Sequence, residues 1–485
     1  MTKMTTVQTT FEQFLSSSPA TEALETLKNE IAAKAATLTD VRPPREELKE
    51  HYADLLARAG NARGRGLYYP YISSGIGNGP LIELADGSVK WDMISGIGVH
   101  FFGHSNPDLI EYALKGTLTD TIMHGNLQSG FEPYAFSELL LAQAAKGSNL
   151  KHCFVAATGA LVNENAIKLC YQKHNGAPRV IVFKDCFMGR TITMSQLGDA
   201  AGNRVGIPLS TLVDYMPFYD EAAAARDGRD AHIQAICDQL RSYIERYPNQ
   251  HACFIFELVQ GEGGFNTAPR EFFVELMQIC KEHNIAVWAD EVQTFGRTES
   301  MFAYDMLGLG EFVDIVTIGK MSQACATLFT EEYNPAPGLL SATFTSSGAA
   351  CKAGAYILDR LARGNYYGPD GLIVQHHKAF RKHCQAMIDR HPDWFPPVEP
   401  GLLTPTPGGL VGGVGGMMRF SPFGGKKGPV FGALKHCYEE GIILFGCGHG
   451  PYHIRMLPPL GVMKLEDWPR VFAVLEKGLA RAAGS

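Results

Sequence analysis

The 485-residue chain is short of several features, and each shortage removes a class of function. No apolar run approaches the ~20 residues that span a bilayer, so no membrane partner is expected. There is no basic stripe either. The chain carries 43 Lys and Arg against 50 Asp and Glu, a net charge of −7, which argues against a nucleic-acid partner. The start, MTKMTTVQTTFEQFLSSSPA, lacks a basic stretch followed by an apolar core, so it does not read as a secretion signal. The eleven cysteines are scattered singly from Cys153 to Cys447 without a CxxC pair, which fits reduced thiols used as small core residues in a cytoplasmic protein. His376 and His377 have no third ligand at a useful spacing and read as a polar helix face, so no metal site is expected. Repeats and low-complexity segments are absent.

What is present is enough chain for one large domain and a smaller one. Residues 1–70 read as a polar helical extension, with an amphipathic stretch at 21–37 and a second helix from Arg45 to Ala59, packing on the body or on a partner subunit. Residues 71–100 read as the first part of a small domain, where Asp86-Gly87 joins two short strands as a hairpin. In the large domain, 101–355, Asn106-Pro107 is a helix start, with Asn as cap and Pro in the first turn. The segment 356–485, with its glycine-rich stretch PGGLVGGVGGMMRF, completes a small α+β domain.

From about residue 150, short apolar runs alternate with longer helical ones: HCFVAA, RVIVF, ACFIFELV, IAVWADEV and VDIVTIG. Near-continuous apolar strands between helices predict an α/β fold whose mainly parallel sheet, of the seven-stranded type, is covered on both faces. Ligands bind at the carboxyl ends of such strands. Those ends read Thr158-Gly159-Ala160, then Asp185 to Thr191 with Phe187, then Glu257 and Gln260 to Gly264, then Asp290-Glu291-Val292-Gln293, then Lys320. A helix start with free N–H groups, an aromatic plate, an acid and a lysine therefore converge on one rim.

Those are the parts that pyridoxal 5'-phosphate (PLP) chemistry requires. A lysine amine holds the cofactor and shuttles the proton. A carboxylate keeps the pyridine nitrogen protonated, an aromatic face holds the ring, and a helix N-terminus binds the phosphate. Asp290 ends a buried strand, where a lone aspartate is costly without a cationic partner. Lys320 ends an apolar strand, where lysine is rarely found without a role.

The segments GHSNPDLI, FKDCFMGRT, FELVQGEGG, WADEVQTFGRT, DIVTIGK and IRMLPPL, in this order and spacing, resemble the class III PLP-dependent aminotransferases, which have the aspartate-aminotransferase fold. The resemblance runs from about residue 70 to the C-terminus. It implies that Lys320 is the Schiff-base lysine and Asp290 the acid at the pyridine nitrogen. It implies further that Phe187 stacks on the ring, that Gln293 lies near the ring hydroxyl, and that Gly159 and Ala160 form the phosphate loop. Thr343 would reach the phosphate of a neighbouring subunit, which makes the protein a homodimer with shared sites, or a tetramer of such dimers. Arg455 would hold a substrate α-carboxylate by a two-pronged ion pair. Glu262 would cover an active-site arginine until a dicarboxylate arrives.

Locally, TGALVNENAIK and KMSQAC are most similar to the corresponding segments of L-lysine 6-aminotransferases. Departures from the family pattern are Ala160 in place of a hydroxyl residue, Met188 where a histidine is usual, the short DEVQTFGRT, and TFTSSG in the loop facing the phosphate. The implied reaction moves an amino group from an amine or amino acid, such as L-lysine, to a keto acid such as 2-oxoglutarate in two half-reactions. Two rival readings keep the same lysine and aspartate: a racemase or epimerase, and an aminotransferase for donors like acetylornithine or 4-aminobutyrate.

Overall fold

The computed structural model describes residues 8–398 and 409–484. The first seven residues of the expected extension, and 399–408 and 485 of the expected C-terminal part, lie outside the described residues. The glycine-rich stretch at 407–416 is thus described only from Gly409.

A seven-stranded sheet forms the centre. In chain order its strands are β1 Leu150–Ala156, β2 Arg179–Phe183, β3 Leu212–Met216, β4 His251–Phe256, β5 Ala286–Glu291, β6 Ile315–Ile318 and β7 Cys325–Thr330. Across the sheet the order is β1-β7-β6-β5-β4-β2-β3. The five strands from β6 to β3 run parallel, in line with the sequence reading. β7 is antiparallel to both its neighbours, β6 and β1. The parallel strands β4, β5 and β6 are buried at every position, which is why their sequences are apolar without alternation. Helices cover both faces. Phe183, Phe254, Phe256 and Phe272 form an aromatic cluster in the core on one face, and Trp288 lies in a second core on the other, its indole N–H donating to the Thr317 hydroxyl at 3.1 Å.

The remaining strands form smaller sheets. The hairpin expected at Asp86-Gly87 pairs Leu81–Leu84 with Val89–Asp92. Its turn has Gly87 at φ 76° and the Asp86 carboxylate accepting from the Ser88 N–H at 2.8 Å. Ile442–Ile443 adds to this sheet beside Trp91 and Asp92, joining the two ends of the chain. A four-stranded sheet near the C-terminus contains β8 Val411–Val414, β9 Met417–Phe420, β10 Phe445–Cys447 and β11 His453–Met456, in the order β8-β9-β11-β10.

The expected N-terminal helices are present as Thr10–Leu15, Ser18–Ala35 and Lys49–Arg63. The second packs on the Pro107–Thr117 helix, where Lys28 lies 2.9 Å from Asp108 and 3.0 Å from Glu111. Asn106 caps that helix by accepting from the Leu109 N–H at 3.1 Å. One expectation fails. His376 and His377 are not a polar helix face: His376 is fully buried and accepts the Trp468 indole N–H at 3.0 Å, and His377 bonds the Gly415 carbonyl at 2.8 Å. The helix Leu372–Arg390 turns this side inward, because Trp468 and Phe380 build a core there that a neutral imidazole can join.

Candidate active site

The carboxyl ends of β1, β2, β4, β5 and β6 surround a cavity of about 400 Å³. Gly159, Ala160, Phe187, Glu262, Asp290, Gln293 and Lys320 all line it, so most of the residues singled out in the sequence meet at one place, while Arg455 and Thr343 are not among its lining.

Lys320 follows β6 after Gly319, which is extended at φ −175°. Lys320 itself sits at φ 55°, in the left-handed region, and opens a single 3₁₀ turn through Ser322. A residue with a Cβ gives up about 1–2 kcal/mol to hold that conformation. The turn ends the strand abruptly and places the amine at the cavity. Burial pushes the Lys320 ammonium down from its ordinary value, and the charge of Asp290 opposes this. A depressed lysine is a free amine for more of the time, which a nucleophile and proton carrier requires.

Asp290 is 6% exposed near the end of β5. Its carboxylate accepts from the Val292 N–H at 2.9 Å and from Asn163 Nδ2 at 2.8 Å. Burial raises its pKa, while those two bonds and the charge of Lys320 hold it down. Asn163 Nδ2 also donates to the Met188 carbonyl at 2.9 Å, so the residue standing where a histidine is usual serves through its backbone. An aspartate buried without a guanidinium or ammonium in contact is suited to a cation that arrives from outside the chain.

The end of the cavity expected to take the phosphate is formed by the start of the Gly159–Lys173 helix. The Thr158 hydroxyl caps it, accepting from the Leu161 N–H at 3.2 Å. The N–H groups of Gly159 and Ala160 have no acceptor within the helix, and the Thr158 hydroxyl hydrogen remains free to donate. Gly189, at φ 130°, lets the chain pass close by: a Cβ there would lie 2.8 Å from the Ala160 Cβ.

Arg455 lies on β11 and is fully buried between the rings of Phe265 and Phe445. Its Nη2 donates to Glu262 Oε1 at 2.6 Å and its Nη1 to the Gly261 carbonyl at 3.3 Å. Glu262 therefore stands between Arg455 and the cavity. Thr343 lies apart from the cavity and is exposed. Its loop is held by paired bonds, Asn126 N–H to the Ala342 carbonyl at 3.0 Å and Ala342 N–H to Asn126 Oδ1 at 2.9 Å.

Three cavity residues were not assigned roles from the sequence. Asn163 sits one turn into the helix, on the face that Gly159 presents, and nothing in its local sequence sets it apart from Asn165 two residues on. Arg190 is exposed at the cavity, 5.4 Å from the Phe187 ring centroid, with no ion pair among the described residues. Glu257 ends β4; burial and the nearby Asp290 push its carboxyl up to about 8.

The donor set fits PLP. The Gln293 Oε1 and Asn163 Oδ1 atoms are buried without partners among the described residues, as expected of groups that meet a ligand's polar atoms.

Comparison with known proteins gives the same answer. The family profile of the class III aminotransferases matches residues 70–370. The 5-aminovalerate aminotransferase DavT of Pseudomonas putida is 28% identical over 443 residues, covering 86% of this chain and 94% of the relative. A 4-aminobutyrate aminotransferase, described as probable, from Bacillus subtilis is 32% identical over 316 residues, 60% of this chain and 70% of the relative. Among solved structures, the lysine aminotransferase of M. tuberculosis superposes with a TM-score of 0.72 at 21% identity, over 88% of this chain and 99% of that one, which supports the fold.

Proposed function

The chain belongs to the class III aminotransferases, which depend on PLP, and from that premise we propose that it transfers the amino group of an ω-amino acid to a 2-keto acid. The observation that carries this is the Glu262–Arg455 pair at the wall of a cavity that also holds Lys320, Asp290 and an unpaired Arg190.

When bound, PLP supplies an electron-accepting pyridinium ring beside a carbon that can carry an amino group. Lys320 would hold it covalently. Asp290 would keep a proton on the pyridine nitrogen, with Phe187 and Gln293 as the side chains available to its ring face and ring hydroxyl. The Gly159 and Ala160 N–H groups and the Thr158 hydroxyl bind the phosphate. As a free amine, Lys320 Nζ would take the proton from the amine-bearing carbon of the substrate and hand it on within the site.

Two substrates of different shape must use one cavity. Glu262 covers Arg455 while the donor presents an amine on a carbon without a carboxylate, and Arg190 receives the donor's distant carboxylate. When a keto acid enters, Glu262 moves aside and Arg455 grips the α-carboxylate. A racemase handles one substrate shape and has no use for a covered arginine, so the gate favours transfer. Relatives named for 5-aminovalerate and 4-aminobutyrate support the ω-amino class, and the segments similar to L-lysine 6-aminotransferases add lysine to it.

The active unit is a homodimer in which Thr343 completes the phosphate site of the partner. In support, Thr343 is exposed, and Ile122, Met123, Leu127, Phe131 and Phe344 form exposed apolar surface in the segments around it.

The test is the visible spectrum of the PLP-loaded protein. A donor such as L-lysine or 5-aminovalerate should bleach the cofactor band, and 2-oxoglutarate should restore it. A band that no ω-amino acid alters would remove the reading.

A further inference from the structure

The backbone turns sharply twice after β6. Lys320 stands at φ 55°, and Gln323 follows it at φ 61° and ψ −42°. The Ala324 N–H donates to the Ser322 carbonyl at 2.6 Å, which makes Gln323 the middle of a γ-turn of the hand that a Cβ strains. A glycine would hold this conformation more easily. Position 323 nevertheless carries a long polar side chain, and that side chain makes a specific bond.

The Gln323 N–H donates to the Lys320 carbonyl at 3.1 Å, and its side-chain Nε2 donates to the Val99 carbonyl at 3.2 Å. Val99 follows a second strained segment, Ser95 to Gly98, in which all four residues have positive φ, Ser95 and Ile97 among them. Three bonds hold that segment. The Asp92 carboxylate accepts from the Ser95 N–H at 2.8 Å, Arg297 Nη2 donates to the Gly98 carbonyl, and the Ser95 hydroxyl donates to the Leu457 carbonyl at 2.8 Å. Leu457 directly follows β11, two residues beyond Arg455, and its own N–H donates to the Met93 carbonyl at 2.8 Å. The Gln323 side chain therefore joins the turn that bears Lys320 to a segment bonded to the end of the Arg455 strand.

We propose that Gln323 is a positioning residue: its bond to Val99 sets the Lys320 turn against the segment that holds the Arg455 strand, and so fixes the amine and the guanidinium relative to each other. This rests on the PLP reading of the cavity. Met321 and Ser322 are buried and anchor the same turn from the core side. Gln323 supplies the tie to the other half of the site. A displacement of about 1 Å at a reacting group can lower a rate about a hundredfold, and an effect of that size accounts for a strained residue being kept.

The test uses the full chain with two variants. Gln323→Gly removes both the bond and the strain, whereas Gln323→Met keeps the length and the strain but has no donor. In Gln323→Gly the melting temperature of the cofactor-free protein should equal or exceed that of wild type. A side chain that merely holds the fold would leave it lower, and a lower value overturns the proposal. In both variants kcat of the PLP-loaded enzyme should fall about tenfold or more while the donor KM stays within about twofold. A kcat within about twofold of wild type overturns the proposal as well. The last reading needs no cofactor. Acetic anhydride acylates Lys320 in the cofactor-free protein, and mass spectrometry follows the rate against pH. Asp290, Glu262, Glu257 and Arg455 face that amine and are unchanged in both variants. A loosened turn admits water to the amine, so the midpoint should move up toward the ordinary lysine value. Midpoints equal to wild type overturn the proposal. If no amine ever bleaches the cofactor band, the labelling midpoints still decide the role of Gln323, so the two readings fail separately.

Discussion

Lys320 combines two costs, a left-handed backbone and burial of an amine, and both are met at one position. Strain of that kind is retained where surrounding structure holds it for a purpose. Lys320→Ala should reduce transamination by at least about 10⁴-fold, the scale of losing a covalent and acid–base group, while PLP binds loosely by dialysis assay. Arg190 lines the cavity and has no ion pair among the described residues, which leaves its charge for a carboxylate in the site. Arg190→Met should raise the KM of an ω-amino acid donor by about tenfold or more, the loss of one charge-assisted pair. The KM of an alkylamine without a carboxylate, measured in parallel, should not change.

At the scale of elements, the Gly159–Lys173 helix depends on its first turn. Thr158→Ala removes a cap and should cost about 1 kcal/mol in urea unfolding of the cofactor-free protein. It should also raise the PLP dissociation constant several-fold, since the same hydroxyl faces the phosphate. The elements legible in the sequence are those with strong local patterns. β2, β4, β5 and β6 are unbroken apolar runs, and the residues after them announce the rim. β3 is harder to read because it is an edge strand: Leu212 is exposed, and Asp214 is paired with Arg179 at 2.6 Å and with His251 at 3.0 Å. β7 runs antiparallel directly after the Lys320 turn, and its direction is set by the slot between β1 and β6, which no local pattern encodes. The same limit applied to Glu257 and Asn163. Both are ordinary polar residues whose roles come from partners 70 and 127 residues away.

At the scale of the whole molecule, pH should act on stability from both sides. Glu257 is raised to about 8, and Glu291 and Asp185 to about 7, mainly by burial. Folded values above the unfolded ones give stability that is full below the ordinary carboxyl range and is lost as pH rises through 7 to 8. His376 is lowered to about 4 by burial, so its contribution is full above its ordinary 6.5 and is lost as pH falls toward 4. Three raised carboxyls outweigh one lowered imidazole, so the melting temperature of the cofactor-free protein should decline between about pH 5 and pH 8.5, as differential scanning fluorimetry can check. Assembly is tested at the same scale. Leu127 is fully exposed beside the Thr343 loop, and if the proposed dimer forms there, Leu127→Glu should shift its sedimentation to that of a monomer and weaken PLP binding with it. No described helix is long and apolar enough to cross a membrane.

The placement of β7 also governs when the protein can become itself during synthesis. β1 carries the phosphate-binding turn, and its sheet partner is β7, which ends at Thr330. A nascent chain that has just delivered the Gly159–Lys173 helix has no place to seat it. The ribosome must first make a further stretch of more than 150 residues, through Lys320 and on to the strand after it. The proposed anchor for the cofactor and the proposed cradle for its phosphate thus have their common sheet complete only once β7 has been made.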